Sequence, residues 1–206
     1  MLFLLKNKTF LFFFIGNITS LIGFGFNLIA ISWMVLEESG SEYLLGKIMA
    51  SATAPGLILA IFAGVIIDRV NRKWLLVFLD IFRLIVVSVF LYFISKFNFE
   101  VSFLYPVAFF MGLGNSLFWP TAQAFVQELV SEKDYFNANK LLSASYQVGS
   151  IFGAGVGGLV VHAYSPIVAL WINILTYIVS AIFISLAPFK RKNLYTEEKS
   201  LFDLIM

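Results

Sequence analysis

Apolar residues run along this chain in six long stretches, separated by short polar intervals. The stretches are Phe10–Leu36, Tyr43–Ile67, Trp74–Ser95, Val101–Val126, Leu141–Val161 and Pro166–Pro188. Each reaches the ~20 residues that an α-helix needs to cross the hydrocarbon core of a bilayer. Two-residue alternation, the mark of a membrane barrel strand, is absent. The pattern predicts an all-α membrane protein of six transmembrane helices, some tilted or with interfacial ends. The first stretch follows Lys6 and Lys8 and runs 27 residues. That is too long for a signal-peptide core of about 7–15 residues, so it reads as a true span.

Composition agrees. Of 206 residues, 60% are hydrophobic and 13% charged. A soluble domain carries about 25% charged residues, and a disordered chain is far less apolar. A net charge of +2 gives no electrostatic basis for a nucleic-acid partner. With no cysteine there are no disulfides, thiolate metal sites or cysteine nucleophiles. His162, the lone histidine, falls at the outer end of the fifth stretch with no carboxylate beside it. Nucleotide-binding, zinc-protease and serine-hydrolase motifs are missing. The sequence therefore predicts no enzyme, no cofactor and no metal. The partners it predicts are the lipid bilayer and a small-molecule substrate.

Lysine and arginine set the orientation. Lys6, Lys8, Arg69, Arg72, Lys73, Lys133, Lys140, Lys190, Arg191, Lys192 and Lys199 fall on one side. The opposite loops hold Lys96, with Lys47 just inside the second span, and also Glu37, Glu38, Glu42 and Glu100. Both termini are therefore expected to be cytoplasmic. The outer loops are short, and the longest connection is the cytoplasmic one at Gln127–Lys140. That segment mixes charges with Leu129, Tyr135 and Phe136, which fits a short surface helix.

Polar residues inside the spans mark candidate chemistry. Asn17, Ser20 and Asn27 lie within an arc of roughly 80° on the first helix. Such a stripe must face the bundle interior, either as the wall of a substrate cavity or as a seam of interhelical hydrogen bonds. Asn115, Ser116, Thr121 and Gln123 extend the set on the fourth span, where Trp119–Pro120 predicts a kink. Asp80 and Arg83 stand one turn apart on the third span. Counted from Lys73, Asp80 is about 10 Å along the helix. This places the pair near the cytoplasmic headgroups, as part of a gate or as a snorkelling pair. Small residues recur at four-residue spacing on the second span. They crowd the fifth, at Gly149, Gly153, Ala154, Gly155, Gly157 and Gly158. Close helix packing explains single pairs, and so many glycines also predict a helix that bends.

Residues 64–76 read G-V-I-I-D-R-V-N-R-K-W-L-L. This resembles motif A of the major facilitator superfamily, G-x-L-a-D-r-x-G-r-k-x-x-l, on the loop and the side where that family has it. Gly64, Asp68, Arg69, Arg72 and Lys73 match; Ile66 and Asn71 depart. Asn71 replaces a glycine and is a residue that tolerates a left-handed turn. Residues 149–158 are similar to motif C of the antiporters, with Gly149, Gly153, Gly157 and Gly158 in place and Ala154 for the usual proline. The arginine of the proton-coupled drug exporters is absent, since Ala108 stands at its position. Residues 120–139 and the D-x-x-R of Asp80 and Arg83 are similar to the macrolide-efflux branch.

The resemblance implies that residues 1–192 form the N-terminal six-helix bundle of a twelve-helix transporter, built of 3+3 inverted repeats. Residues 193–206 would begin the central cytoplasmic linker, with the second half absent. The implied function is secondary active export of small amphipathic compounds or drugs by alternating access. Asp68, Arg69, Arg72 and Lys73 would form the cytoplasmic gate, with Asp80 and Arg83 behind it. A second six-helix half or a homodimer would complete the cavity. The alternatives are a half-size transporter acting as a dimer, and a non-transporting scaffold or regulatory subunit.

Overall fold

The computed structural model describes residues 2–189. Its long helices are α1 (Lys8–Ser39), α2 (Glu42–Arg69), α3 (Arg72–Lys96), α4 (Leu104–Leu129), α5 (Tyr135–Ala163) and α6 (Pro166–Leu186). All six are long and apolar enough to cross a membrane. Short 3₁₀ turns at Leu2–Lys6, Val101–Phe103 and Glu132–Asp134 lead into α1, α4 and α5.

Side-chain caps set several of the boundaries. Asn7 Oδ1 accepts from the backbone N–H of Thr9 and Phe10 at the start of α1. Ser41 Oγ accepts from Leu44 N–H at the start of α2, and Ser165 Oγ from Val168 N–H at the start of α6. Each cap satisfies an amide that the first helical turn leaves open. Gly40 ends α1 at φ 60°, where its N–H donates to Leu36 O over 2.8 Å. That left-handed position favours glycine.

Two local expectations change. Asn71 is no left-handed turn residue; it has φ −73° and caps α3 by accepting from Trp74 N–H. Its amide side chain, not its backbone tolerance, suits it to the α2–α3 junction. The Gln127–Lys140 segment carries no separate surface helix. Instead α4 continues to Leu129 and α5 begins at Tyr135, about two turns ahead of the apolar stretch. A helix extends into the polar region as readily as its caps allow, so hydropathy misses its first turns. Helix α5 runs unbroken through all its glycines.

Helix α1 packs chiefly on α5 and α6, α4 chiefly on α2 and α3, and α3 also on α6. Exchanging α1 with α4, α2 with α5 and α3 with α6 maps this pattern onto itself. That is the packing expected of two interlocked three-helix repeats. The consecutive helices α2 and α3 barely touch, whereas α3 and α4 pack together. Glycines permit the tightest crossings. Gly149, Gly153 and Gly157 lie along α1 at Leu21, Ile22 and Phe26, and Gly25 of α1 meets the backbone of Gly153 and Ala154. Gly155 and Gly158 have open space where a side chain would go. The glycine-rich segment thus contains one packing face and two residues outside it.

The interior is layered. At the end carrying Arg69, Arg72 and Lys133, an apolar cluster gathers Phe10, Phe13, Leu76, Leu79, Phe125 and Leu142. At the other end a second cluster gathers Ala30, Val35, Val87, Phe90, Leu104 and Leu170. Between them lie buried polar groups: Asn17, Ser20, Asp80, Arg83, Ser145, Asn173 and Ser180. The outward faces of α2 and α5 are apolar, with Leu57, Ile58, Ile61 and Phe62 exposed on one, and Val148, Ile151 and Phe152 on the other.

Candidate functional site

The polar layer centres on Asp80 and Arg83. A carboxylate held away from water needs donors on both oxygens. Asp80 is 0% exposed. Its Oδ1 accepts from Ser20 Oγ of α1 at 2.8 Å and from Arg83 Nη2, and its Oδ2 accepts from Ser180 Oγ of α6 at 2.6 Å. Arg83 is 2% exposed. Its Nε donates to Leu79 O, its Nη2 also to Ser20 Oγ, and its Nη1 to Asn115 Oδ1 of α4 at 2.9 Å. The guanidinium lies between the rings of Phe118 and Tyr177, 4.3 and 4.6 Å from their centroids. Four helices therefore meet on one ion pair.

The pair is enclosed along α3 rather than at its end. Arg83 is the twelfth residue of the 25-residue α3. At 1.5 Å per residue it is about 16 Å from Arg72, close to the middle of the helix. The pair does not snorkel, because both side chains are enclosed. Lys73 is likewise tucked inward. It is 7% exposed, and its Nζ donates to Ala187 O at the end of α6 over 2.8 Å.

A cavity of about 450 Å³ opens beside Arg83 among α1, α3, α4 and α5. Arg83 and Asn115 form its polar floor; Phe24, Phe118, Trp119 and Tyr146 form aromatic walls. Ser143 and Gln147 lie at its exposed rim. Trp119 and Tyr146 are in ring contact at 4.9 Å. A smaller cavity of about 50 Å³ shares Phe24 and Asn115 and adds Asn27. The Nδ2 of Asn27 is buried there without a partner.

The residues read from sequence as cavity wall thus take different places. Asn115 lines both cavities and Asn27 the smaller one. Asn17 is enclosed and donates through Nδ2 to Ser145 Oγ of α5 at 3.1 Å. Ser20 belongs to the ion-pair cluster. Gln123 is exposed on α4 and lines neither cavity. Sequence reasoning missed Ser143, Tyr146 and Gln147. Ser143 and Gln147 stand four apart, and that spacing puts both on one helix face.

At the basic end, Asp68 and Arg72 pair across one turn at 2.8 Å, joining the end of α2 to the start of α3. Arg72 also reaches α4, pairing with Glu128 at 2.8 Å and donating to Ala124 O at 3.3 Å. Glu128 is the partner that sequence reasoning missed, because it lies 56 residues away. Arg69 is exposed at the end of α2. Gly64 has open space around it, so nothing within the six helices demands a glycine there.

This architecture is shared with a membrane transporter. A crystal structure of the POT family transporter PepTSo, obtained in meso, shares the fold. Its TM-score is 0.70 at 15% identity, over 90% of this chain and 40% of that one. The chain belongs to the family described as transmembrane secretion effector, a branch of the major facilitator superfamily, whose model matches residues 2–202. Relatives include the "Putative bacilysin exporter BacE" of Bacillus amyloliquefaciens, 28% identical over 74% of this chain and 38% of its own length. The multidrug efflux pump Tap of Mycolicibacterium fortuitum is 23% identical over 82% of this chain and 42% of its own length. The chain therefore spans about two fifths of the curated relatives it matches. With bacterial exporters as relatives and six apolar helices, it is a multi-pass protein of a bacterial cell membrane.

Proposed function

We propose that the chain is the N-terminal half of a secondary active exporter that moves small amphipathic compounds by alternating access. The observation that carries this reading is the cavity at Arg83 and Asn115. It lies midway along the helices, has aromatic walls and a polar floor, and is open on one side. A second six-helix half, or a second copy, would close that side. Both termini lie in the cytoplasm in this reading, which places the Asp68–Arg72–Glu128 network at the inner face. Asp68, Arg69, Arg72 and Lys73 act there as the inner gate. The pairs of this network rearrange when the inner side opens. The segment read as the start of a linker, residues 193–206, lies outside the described residues.

The native chain has no cysteine, so single cysteines report on the cavity directly. Ser143→Cys and Gln147→Cys are expected to react with a water-soluble maleimide and to be protected by a transported drug. Asn17→Cys is expected not to react. Unreactive rim positions would favour the competing reading, a scaffold whose polar residues form a packed interface. In cells expressing the transporter, Asp68→Asn is expected to abolish drug efflux while membrane insertion is retained. Undiminished efflux would remove Asp68 from the gate.

A further inference from the structure

We infer that the cavity at Arg83 selects compounds that carry a carboxylate beside an aromatic or apolar body. The inference rests on the transport reading above and names the substrate class of that same cavity.

The argument starts from how the ion pair is turned. Asp80 is held from the side of α1 and α6 by Ser20 and Ser180. Arg83 reaches the other way, to Asn115 and Phe118 of α4, and lines the cavity itself. Although the pair is neutral as a whole, its positive end faces the cavity. Among the described residues lining that cavity there is no Asp or Glu, so the carboxylate that offsets the guanidinium is Asp80, behind it. An amine would meet only the cation, whereas an anion would meet it with its counter-ion behind.

Donor accounting points the same way. A guanidinium has five N–H groups. Arg83 uses four of them, on Leu79 O, Ser20 Oγ, Asp80 Oδ1 and Asn115 Oδ1, which leaves one Nη1 hydrogen. Because Arg83 can only donate, the amide of Asn115 must turn its oxygen toward it. The Nδ2 of Asn115 is then the group left over. Arg83 and Asn115 both line the cavity floor, and a carboxylate supplies two acceptor oxygens to meet their N–H groups. Charge-assisted bonds of this kind are the strong ones, and they gain further where water is excluded. Phe24, Trp119 and Tyr146 then receive the rest of the molecule.

Equilibrium dialysis of the detergent-solubilised protein tests this with three matched probes. These are N-acetylphenylalanine, its neutral amide, and phenylalaninamide, which is cationic. The carboxylate is expected to bind about tenfold tighter than the neutral amide, with the amine weakest. Asn115→Asp, nearly isosteric, is expected to abolish the carboxylate preference by taking Arg83 for itself. Gln147→Glu, at the exposed rim, leaves the buried cluster intact and is expected to weaken only the carboxylate, by several-fold. Equal binding of the three probes, or tightest binding of the amine, would overturn the inference. So would variants that weaken all three probes alike. Efflux of a fluorescent amphipathic drug is followed in parallel. Efflux without carboxylate preference overturns the charge assignment alone, whereas neither efflux nor binding overturns the transport reading with it.

Discussion

Arg83→Met is expected to destabilise the bundle by about 3–5 kcal/mol, because it strands the Asp80 carboxylate in a site that water does not reach. Asp80 would keep the Ser20 and Ser180 hydroxyls and lose its counter-ion. Asn115 would lose the donor that orients its amide. Phe118 and Tyr177, which now enclose the guanidinium, would close on a thioether of similar length. The double variant Asp80→Asn/Arg83→Met removes both charges and is expected to recover most of the loss. A buried pair is costly to break and far cheaper to replace whole. Unfolding in a graded detergent mixture, followed by near-ultraviolet circular dichroism, compares the parent with the single and the double variant. A single variant as stable as the parent would show that the pair contributes little to holding α1, α3, α4 and α6 together.

The second large effect is expected at Gly112, where the added methyl group of Gly112→Ala has nowhere to go. A Cβ there would clash with the carbonyl oxygen of Ala52 on α2 and lie 2.7 Å from its carbonyl carbon. Those atoms are backbone, so no rotamer change relieves the overlap, and the two helices must separate. Overpacking of this kind costs about 1–3 kcal/mol, and more where backbone must shift. Gly155→Ala is the matched control. Space is open there, so the substitution is expected to be neutral or to stabilise α5 by up to ~1 kcal/mol. Two glycine-to-alanine changes in two apolar helices should therefore differ in sign. Thermal aggregation of the solubilised proteins reads the difference.

The spans were legible because each boundary is local. Apolar length, a capping Ser or Asn, and a loop of a few residues lie within one reading window. The polar layer was half legible. Asn17, Ser20 and Asn115 read as polar groups to be satisfied inside the bundle, whereas Asp80 and Arg83 read as a gate or a snorkelling pair near the headgroups. What satisfies them was not legible, because the partners are 128, 60, 63, 100 and 32 residues apart in the chain. Snorkelling misled for a physical reason: the Asp80 and Arg83 side chains are enclosed by α1, α4 and α6, whose approach the sequence of α3 does not show. The glycines of α5 misled differently. Gly149, Gly153 and Gly157 repeat every four residues and form a seam, yet the sequence alone does not separate that seam from Gly155 and Gly158.

The interlocked packing also sets a timetable for biogenesis. Ser20 on α1 finds its acceptor on α3, yet that acceptor, Asp80, takes its remaining donor from Ser180 on α6. At about 5–20 residues synthesised per second, roughly 160 residues separate the emergence of Ser20 and Ser180 by about 10–30 s. Roughly 100 of those residues lie between Asp80 and Ser180, so for about 5–20 s a carboxylate and an arginine already in the membrane lack their finished enclosure. The nascent chain would then have to wait beside the translocon, or beside an insertase shielding the same groups, until α6 is released.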